Sequence, residues 1–296
     1  MKKKNLTTSY LMMLLPGYVW LFLFSIVPMI GFTFAFQAFV PGHGFFGSPW
    51  VGFDNFRYLF SLNDARSIFF NTVYISVFKI AGGVLVPLVF ALLLNEIRVG
   101  LFKKWVQTIV YLPHFLSWVI LGGIMLDVFS ISGPVNRIVE SLGGTKTAFF
   151  ARADLFPTIA ILSDVWKEFG FNAVIYLAAL TGISPSLYES AAIDGAGRWQ
   201  QLWRITLPSI ATTAVLLTVL GLGNVLNAGF DQIFNLYNPL TYSTGDIIDT
   251  WVYRSGLLNL QFGLATAAGL LKSVMGFALI TISYWLARRF ANYRIF

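Results

Sequence analysis

Apolar residues run along this chain in long, nearly unbroken blocks. They show neither the alternation of a half-buried strand nor the single stripe of a surface helix. A helix crossing the hydrocarbon core of a bilayer needs about 20 mainly apolar residues. Six blocks meet that length, at roughly 10–35, 69–94, 106–129, 158–183, 209–230 and 263–286, the third carrying Pro113. Helices satisfy their own backbone hydrogen bonds in lipid, so the pattern needs no strand. The first block follows Met1-Lys2-Lys3-Lys4, which looks like the basic start of a signal peptide. It is longer than the apolar region of such a peptide (about 7–15 residues), and no convincing small-residue cleavage site follows, so an uncleaved span is expected. The polar segments at about 37–66, 130–157 and 231–262 are the long loops, and Gly42, Gly44, Gly47 and Pro49 make the first turn-rich.

Composition agrees. The chain has 296 residues, 57% hydrophobic and 11% charged. Soluble domains carry roughly 25% charged residues, and this chain has too little polar surface to cover a water-soluble fold. It reads as one transmembrane domain over residues 1–296, without a soluble domain or linker. The net charge of +7 would fit a nucleic-acid binder, but its placement argues otherwise. Lys2, Lys3, Lys4, Arg98, Lys103, Lys104, Arg198, Arg204, Arg288, Arg289 and Arg294 fall on one side of the six-span topology. Arg57, Arg66, Arg137, Lys146, Arg152 and Arg254 fall on the other, in mostly longer loops. Basic residues gather in cytoplasmic loops, so the first side and both termini are expected to be cytoplasmic. With no cysteine and only His43 and His114, disulfides, thiolate metal sites and a multi-His metal site are not expected.

The segment between the fourth and fifth blocks, 184–208, is the most informative. Ser184 is a candidate N-cap and Pro185 suits a first helical position. Gly195 and Gly197 permit a sharp reversal. Beyond it, Trp199, Leu202, Trp203 and Thr206 recur at helical spacing, and Pro208 opens the next block. Two short helices crossed at a turn would make a knob able to dock into a groove on a partner.

Glu189, Ala191, Asp194, Gly195, Ala196, Ile205, Leu207 and Pro208 resemble the EAA loop of ABC importer permeases, with Ser190 in place of the first of its paired alanines. The similarity extends over nearly the whole chain, toward the carbohydrate-uptake, maltose-permease-like group and the first permease of complex-oligosaccharide importers. Weaker support comes from Pro28, the stretch Phe45–Phe56, Asn71-Thr72 and Tyr111-Leu112-Pro113. The resemblance implies an all-α integral membrane protein with six transmembrane helices and the type I importer permease fold, in the bacterial cytoplasmic (inner) membrane. It implies a coupling helix inserted into an ATPase, a second permease, two ATP-binding subunits and an extracytoplasmic solute-binding protein. The cargo would be a sugar, or alternatively another solute such as glycerol phosphate. This chain would bind no cofactor, with ATP and Mg held by the partner ATPases.

Charges inside spans mark functional candidates. Asp127 and Asp164 fall toward span ends. Lys79 and Lys272 read as partners in interior ion pairs or as snorkelling amines. Lys167 and Glu168 are adjacent, so each is expected to need its own partner. The fourth block contains Glu168, Phe171 and Asn172, and the fifth Asn224, Asn227, Phe230 and Asp231. Asn224, Asn227 and Asp231 share a face if that block is one helix. Counted from the EAA loop, Glu168 and Phe171, with Asn224, Asn227 and Asp231, fall near the sugar contacts of the maltose permease. Interhelical hydrogen bonding explains the asparagines equally well. Two other functions are less well supported. An intramembrane enzyme would need a nucleophile and base, and none is evident, so no catalytic residue is assigned. A standalone secondary transporter would favour inverted repeats, and none is visible. No Walker A pattern occurs, so ATP must be bound by a partner.

Overall fold

The computed structural model describes residues 2–97 and 99–290. Arg98 and Arg294, two of the charges used to orient the chain, lie outside them, as does the C-terminal end. Apart from one isolated antiparallel pairing of Gln37 with Trp50, the described residues form helices and loops. We name the principal helices α1 (Thr8–Phe36), α2 (Ala65–Glu96), α3 (Gly100–Tyr111), α4 (Trp118–Val128), α5 (Phe156–Thr181), α6 (Pro185–Ile193), α7 (Arg198–Gly223), α8 (Phe230–Leu236) and α9 (Phe262–Phe290).

Four of these, α1, α2, α7 and α9, are long and apolar enough to cross a bilayer, and two further paths are bent helix pairs, giving up to six crossings. Large apolar side chains on α1, from Tyr10 to Ile30, are exposed in the isolated chain. Water would not tolerate such a surface, whereas lipid covers it at no cost.

The chain divides into two units. One, Met1–Leu62 with Trp251–Leu271, holds α1 and the turn-rich segment after it. Here Asn55 donates to the carbonyls of Ala35 and Gln37 at 2.9 and 3.0 Å, and Phe36 stacks on Trp50. The other unit, Asn63–Thr250 with Lys272–Phe296, is built on α2 and α5, which pack side by side. Small residues allow the approach: a Cβ at Gly82 would lie 2.5 Å from Val165, and one at Gly221 would lie 2.8 Å from Ile80. One apolar cluster joins Ile75, Phe156 and Ala160 to Leu121, Ile233 and Leu236, and a second joins Ala91, Ala173, Tyr176 and Ile210. The stretch of α2 and α5 between these clusters is their middle.

Two expected spans differ from the sequence reading. The third block is not one helix: α3 runs into a 3-10 turn at Leu112–Phe115, Leu116 and Ser117 are extended, and α4 leaves at 102°. Pro113 lacks an N–H to continue the helix, and the Ser117 hydroxyl accepts from Ile120 N at 3.4 Å to cap the new one. The fifth block starts earlier and stops sooner. α7 is continuous from Arg198 through a five-residue π turn at Leu202–Thr206, in which Leu207 N bonds the Leu202 carbonyl just ahead of Pro208, and it ends at Gly223. Asn224–Gly229 is a turn, and Gly229 takes φ +92°, before α8 begins.

Asn71 and Thr72 pin a long loop. The Asn71 amide donates to the carbonyls of Ser243 and Asp246 at 3.1 and 3.2 Å, and the Thr72 hydroxyl accepts from Ile248 N at 2.9 Å. Asn71→Ala removes both donated bonds within a buried contact, and we expect a loss of about 1–3 kcal/mol. Thermal melting of the purified complex checks this; a wild-type melting point would contradict the anchoring role.

Candidate functional site: a cavity between two helices and a turn

Midway along α2 and α5 lies a cavity of about 300 Å³, lined largely by apolar residues such as Ile80, Val84, Val165, Ile175 and Leu217, among which a set of polar groups is placed. That volume is at the lower end of the range for small-molecule sites. α2 contributes Ser76 and Lys79, α5 contributes Asp164, Glu168 and Asn172, and the end of α7 with the turn after it contributes Asn224 and Asn227. Asp164, Glu168 and Asn172 follow one another at four-residue intervals, which places them on one face of α5. Glu168 is close to the helix midpoint. Ser76 is buried with its hydroxyl unpartnered.

Lys79 organises the wall. Its ammonium donates to Asp164 Oδ1 at 3.3 Å, to the Ala228 carbonyl at 2.7 Å and to Gln232 Oε1. An ammonium has three protons, so its donors are all used on protein acceptors. Gln232 in turn donates to the Ala160 carbonyl and the Ser163 hydroxyl at 2.7 and 2.8 Å. These bonds fasten the Asn224–Gly229 turn to both long helices. Lys272 pairs with Asp249 at 2.5 Å. Both amines are therefore in interior ion pairs.

Glu168 is held by two groups: it forms an ion pair with Lys167 Nζ at 2.7 Å and a hydrogen bond with His114 Nδ1 at 2.6 Å. The pairing of neighbouring Lys167 and Glu168 corrects the expectation of separate partners. Their Cβ atoms diverge, but both side chains are long enough to converge beside His114. Lys167 also donates to the His114 carbonyl at 2.9 Å and lies 5.7 Å from the Trp118 ring centre.

The candidate pathway residues separate here. Glu168, Asn172, Asn224 and Asn227 line the cavity; Phe171, Phe230 and Asp231 do not. Phe171 instead stacks on the His114 ring at 3.9 Å, with the planes 1° apart. Phe230 stacks on Phe234 within α8. The expected shared face of Asn224, Asn227 and Asp231 is corrected: the helix ends before Asn224, and Asp231 belongs to α8. Asn227 still reaches Asn224, at 3.3 Å, but through the turn. The sequence reading overlooked His114, Ser76 and Gln232. The four-residue spacing of Asp164, Glu168 and Asn172 was the available signal for the cavity face; nothing local marks His114.

The candidate coupling residues lie on another surface. α6 carries Glu189 and Ala191 and departs from α5 at 64°. Pro185 occupies its first turn, whereas the Ser184 hydroxyl pairs with Ser186 at 2.8 Å and makes no cap bond. Asp194, Gly195 and Ala196 form the reversal. Gly195 takes φ +77°, its N–H meets the Ala192 carbonyl at 3.1 Å, and Ala196 N meets Ala191 O at 2.8 Å. This pair of bonds is a Schellman helix end. Gly197 is extended, φ −71° and ψ 169°, so only Gly195 of the two needs the freedom of glycine. Ile205, Leu207 and Pro208 lie in α7, which is continuous through them, so the second short helix of the expected knob is the start of a span. Glu189, Asp194 and Ile193 are exposed, Ile193 by 86%. Trp199 and Trp203 are also exposed, while Thr206 is buried and bonds Tyr188 at 2.9 Å.

The profile of the family described as "Binding-protein-dependent transport system inner membrane component" matches residues 83–292. The polygalacturonan/rhamnogalacturonan transport system permease protein YteP of Bacillus subtilis is 39% identical, over 99% of this chain and 92% of that protein. The sn-glycerol-3-phosphate transport system permease protein UgpA of Escherichia coli is 29% identical over 81% of this chain and 80% of that protein. Among solved structures, a chain of a bacterial alginate ABC transporter, in complex with an alginate pentasaccharide-bound periplasmic protein, superposes with a TM-score of 0.88. It shares 39% identity and covers 97% of this chain and 96% of that one.

Proposed function

The chain belongs to the family of binding-protein-dependent transport system inner membrane components, and from that premise we propose that it passes an oligosaccharide through the cavity around Glu168. It is a multi-pass inner-membrane permease subunit of an ABC importer; ATP is hydrolysed by associated ATPase subunits, and a solute-binding protein delivers the cargo. The sugar class is supported by the relatives' substrates, a polygalacturonan/rhamnogalacturonan and alginate. The observation that carries the reading is a cavity at the midpoint of two long helices whose mostly apolar lining carries carboxylate, amide and hydroxyl groups. Sugar hydroxyls need such partners, and buried polar groups left without one are costly. Glycerol phosphate is less well supported, because Lys79 has no donor left for a phosphate.

In this reading the basic side of the chain faces the ATPases and α6 is the coupling helix. α6 joins α5 through residues 182–184 and joins α7 through the Gly195 reversal. Both helices end on, or run past, the cavity, so movement of α6 shifts Glu168 and Asn224 together. From Thr181 to Glu168 is 13 residues, about 20 Å of rigid helix. ATPase closure would thereby change which side of the membrane the cavity opens to.

Glu168→Ala and Asn227→Ala, in assembled complexes, are expected to raise the uptake KM about tenfold each, the value of one or two lost hydrogen bonds. Labelled oligogalacturonide, alginate pentasaccharide and galactooligosaccharide serve as probes. Wild-type kinetics in both variants would remove the cavity from the transport route.

A further inference from the structure

The break between α3 and α4 holds a group that reaches one of the carboxylates lining the cavity, Glu168. His114 sits in the 3-10 turn before the two extended residues. Its ring lies parallel to Phe171, its Nδ1 meets Glu168 Oε2 at 2.6 Å, and its carbonyl accepts from Lys167. Lys167 closes the circuit on the other carboxylate oxygen. α3 and α5 touch immediately beyond: a Cβ at Gly170 would collide with the Val110 carbonyl. The 102° bend is therefore clamped against the middle of α5 by backbone contact on one side and by His114 on the other.

We propose that His114 is a positioning residue of the transport cavity: it holds the Glu168 carboxylate in place from the break in the third apolar segment, so that the acceptor offered to cargo is set by the geometry of that bend. The proposal rests on the cavity reading for its effect on uptake, but the pairing can be tested apart from it. A carboxylate only accepts, so a neutral His114 must carry its proton on Nδ1. Most free imidazole in water carries it on Nε2, and the pairing therefore leaves a spectroscopic mark. The charged groups around the ring are Glu168 and Lys167, followed by Asp164 and Lys79 one turn further along the wall.

Two measurements on the complete importer test this. The first uses ¹⁵N-histidine labelling of this subunit alone, in which His43 and His114 are the two histidines. His114 is expected to show the Nδ1–H form, and Glu168→Gln is expected to shift its ring resonances while leaving those of His43 unchanged. The second is uptake of the three saccharide probes named above. The Nδ2 of Asn can occupy the place of Nδ1, the Nε2 of Gln, one methylene further out, cannot, and Phe keeps the stacking but not the bond. His114→Asn is therefore expected to keep KM near wild type, while His114→Gln and His114→Phe raise it about tenfold with little change in kcat. Only variants that co-purify with the ATPase subunits at wild-type yield are compared.

A His114 signal unmoved by Glu168→Gln overturns the proposal whatever the uptake shows. Equal KM values for the Phe, Gln and Asn variants overturn it as well. If the signal moves while Glu168→Ala leaves uptake untouched, the positioning of Glu168 by His114 stands and it is the cavity reading that fails.

Discussion

Gly195→Pro is expected to leave an importer that still assembles and still hydrolyses ATP at its basal rate, but whose hydrolysis no longer rises with loaded binding protein and whose uptake falls to background. Gly195 is the left-handed residue that ends α6, with φ +77°. Proline fixes φ near −65° and removes the N–H that closes the helix on the Ala192 carbonyl. The two losses together cost about 3 kcal/mol, which leaves the native turn about a hundredfold less populated. The turn joins α6 to α7 and so to one wall of the cavity. Gly195→Ala provides the control, since no atom lies within 4 Å of the position a Cβ would take and the strain is that of the left-handed conformation alone, about 1–2 kcal/mol. It is expected to transport at a reduced rate. Substrate-stimulated ATPase activity at the wild-type level in the proline variant would show that the α6 turn does not carry the coupling.

The second large effect is on stability. Lys79→Met is expected to destabilise the subunit by roughly 3–5 kcal/mol, the range for breaking a buried pair by removing one partner. It strands Asp164 and takes a donor from both the Ala228 carbonyl and Gln232. Lys79→Met combined with Asp164→Leu is expected to recover a substantial part of that loss, because replacing both charges removes the desolvation penalty of the one left behind. Uptake is expected to stay low in the double variant, since the Asn224–Gly229 turn still lacks its ammonium tether. Thermal melting of the assembled complex separates the cases. Single and double variants that melt together would mean that the Lys79–Asp164 pair carries little of the unit's stability.

Much of this protein is determined by local sequence. Twenty or more apolar residues in a row must be helical in lipid, so the all-helical membrane fold follows from hydropathy alone. The α6 reversal was also legible, because a left-handed turn closing a helix needs a glycine at a particular place and Gly195 supplies it. Asp164, Glu168 and Asn172 share a face because helical periodicity puts them there. What sequence could not decide depends on partners distant in the chain. Continuous hydropathy concealed the bend after Pro113 and the end of α7 at Gly223, since apolar residues are equally at home in a helix, a turn or a break once these are buried in protein. Lys167 and Glu168 pair because His114, 53 residues before Lys167, draws both side chains to one point. Lys79 meets Ala228 and Gln232 across some 150 residues of chain. The local pattern determines which surfaces each helix has. Which surfaces meet, and therefore where a charge finds its counter-charge and where a cavity remains, is settled only by the packing of the helices against one another.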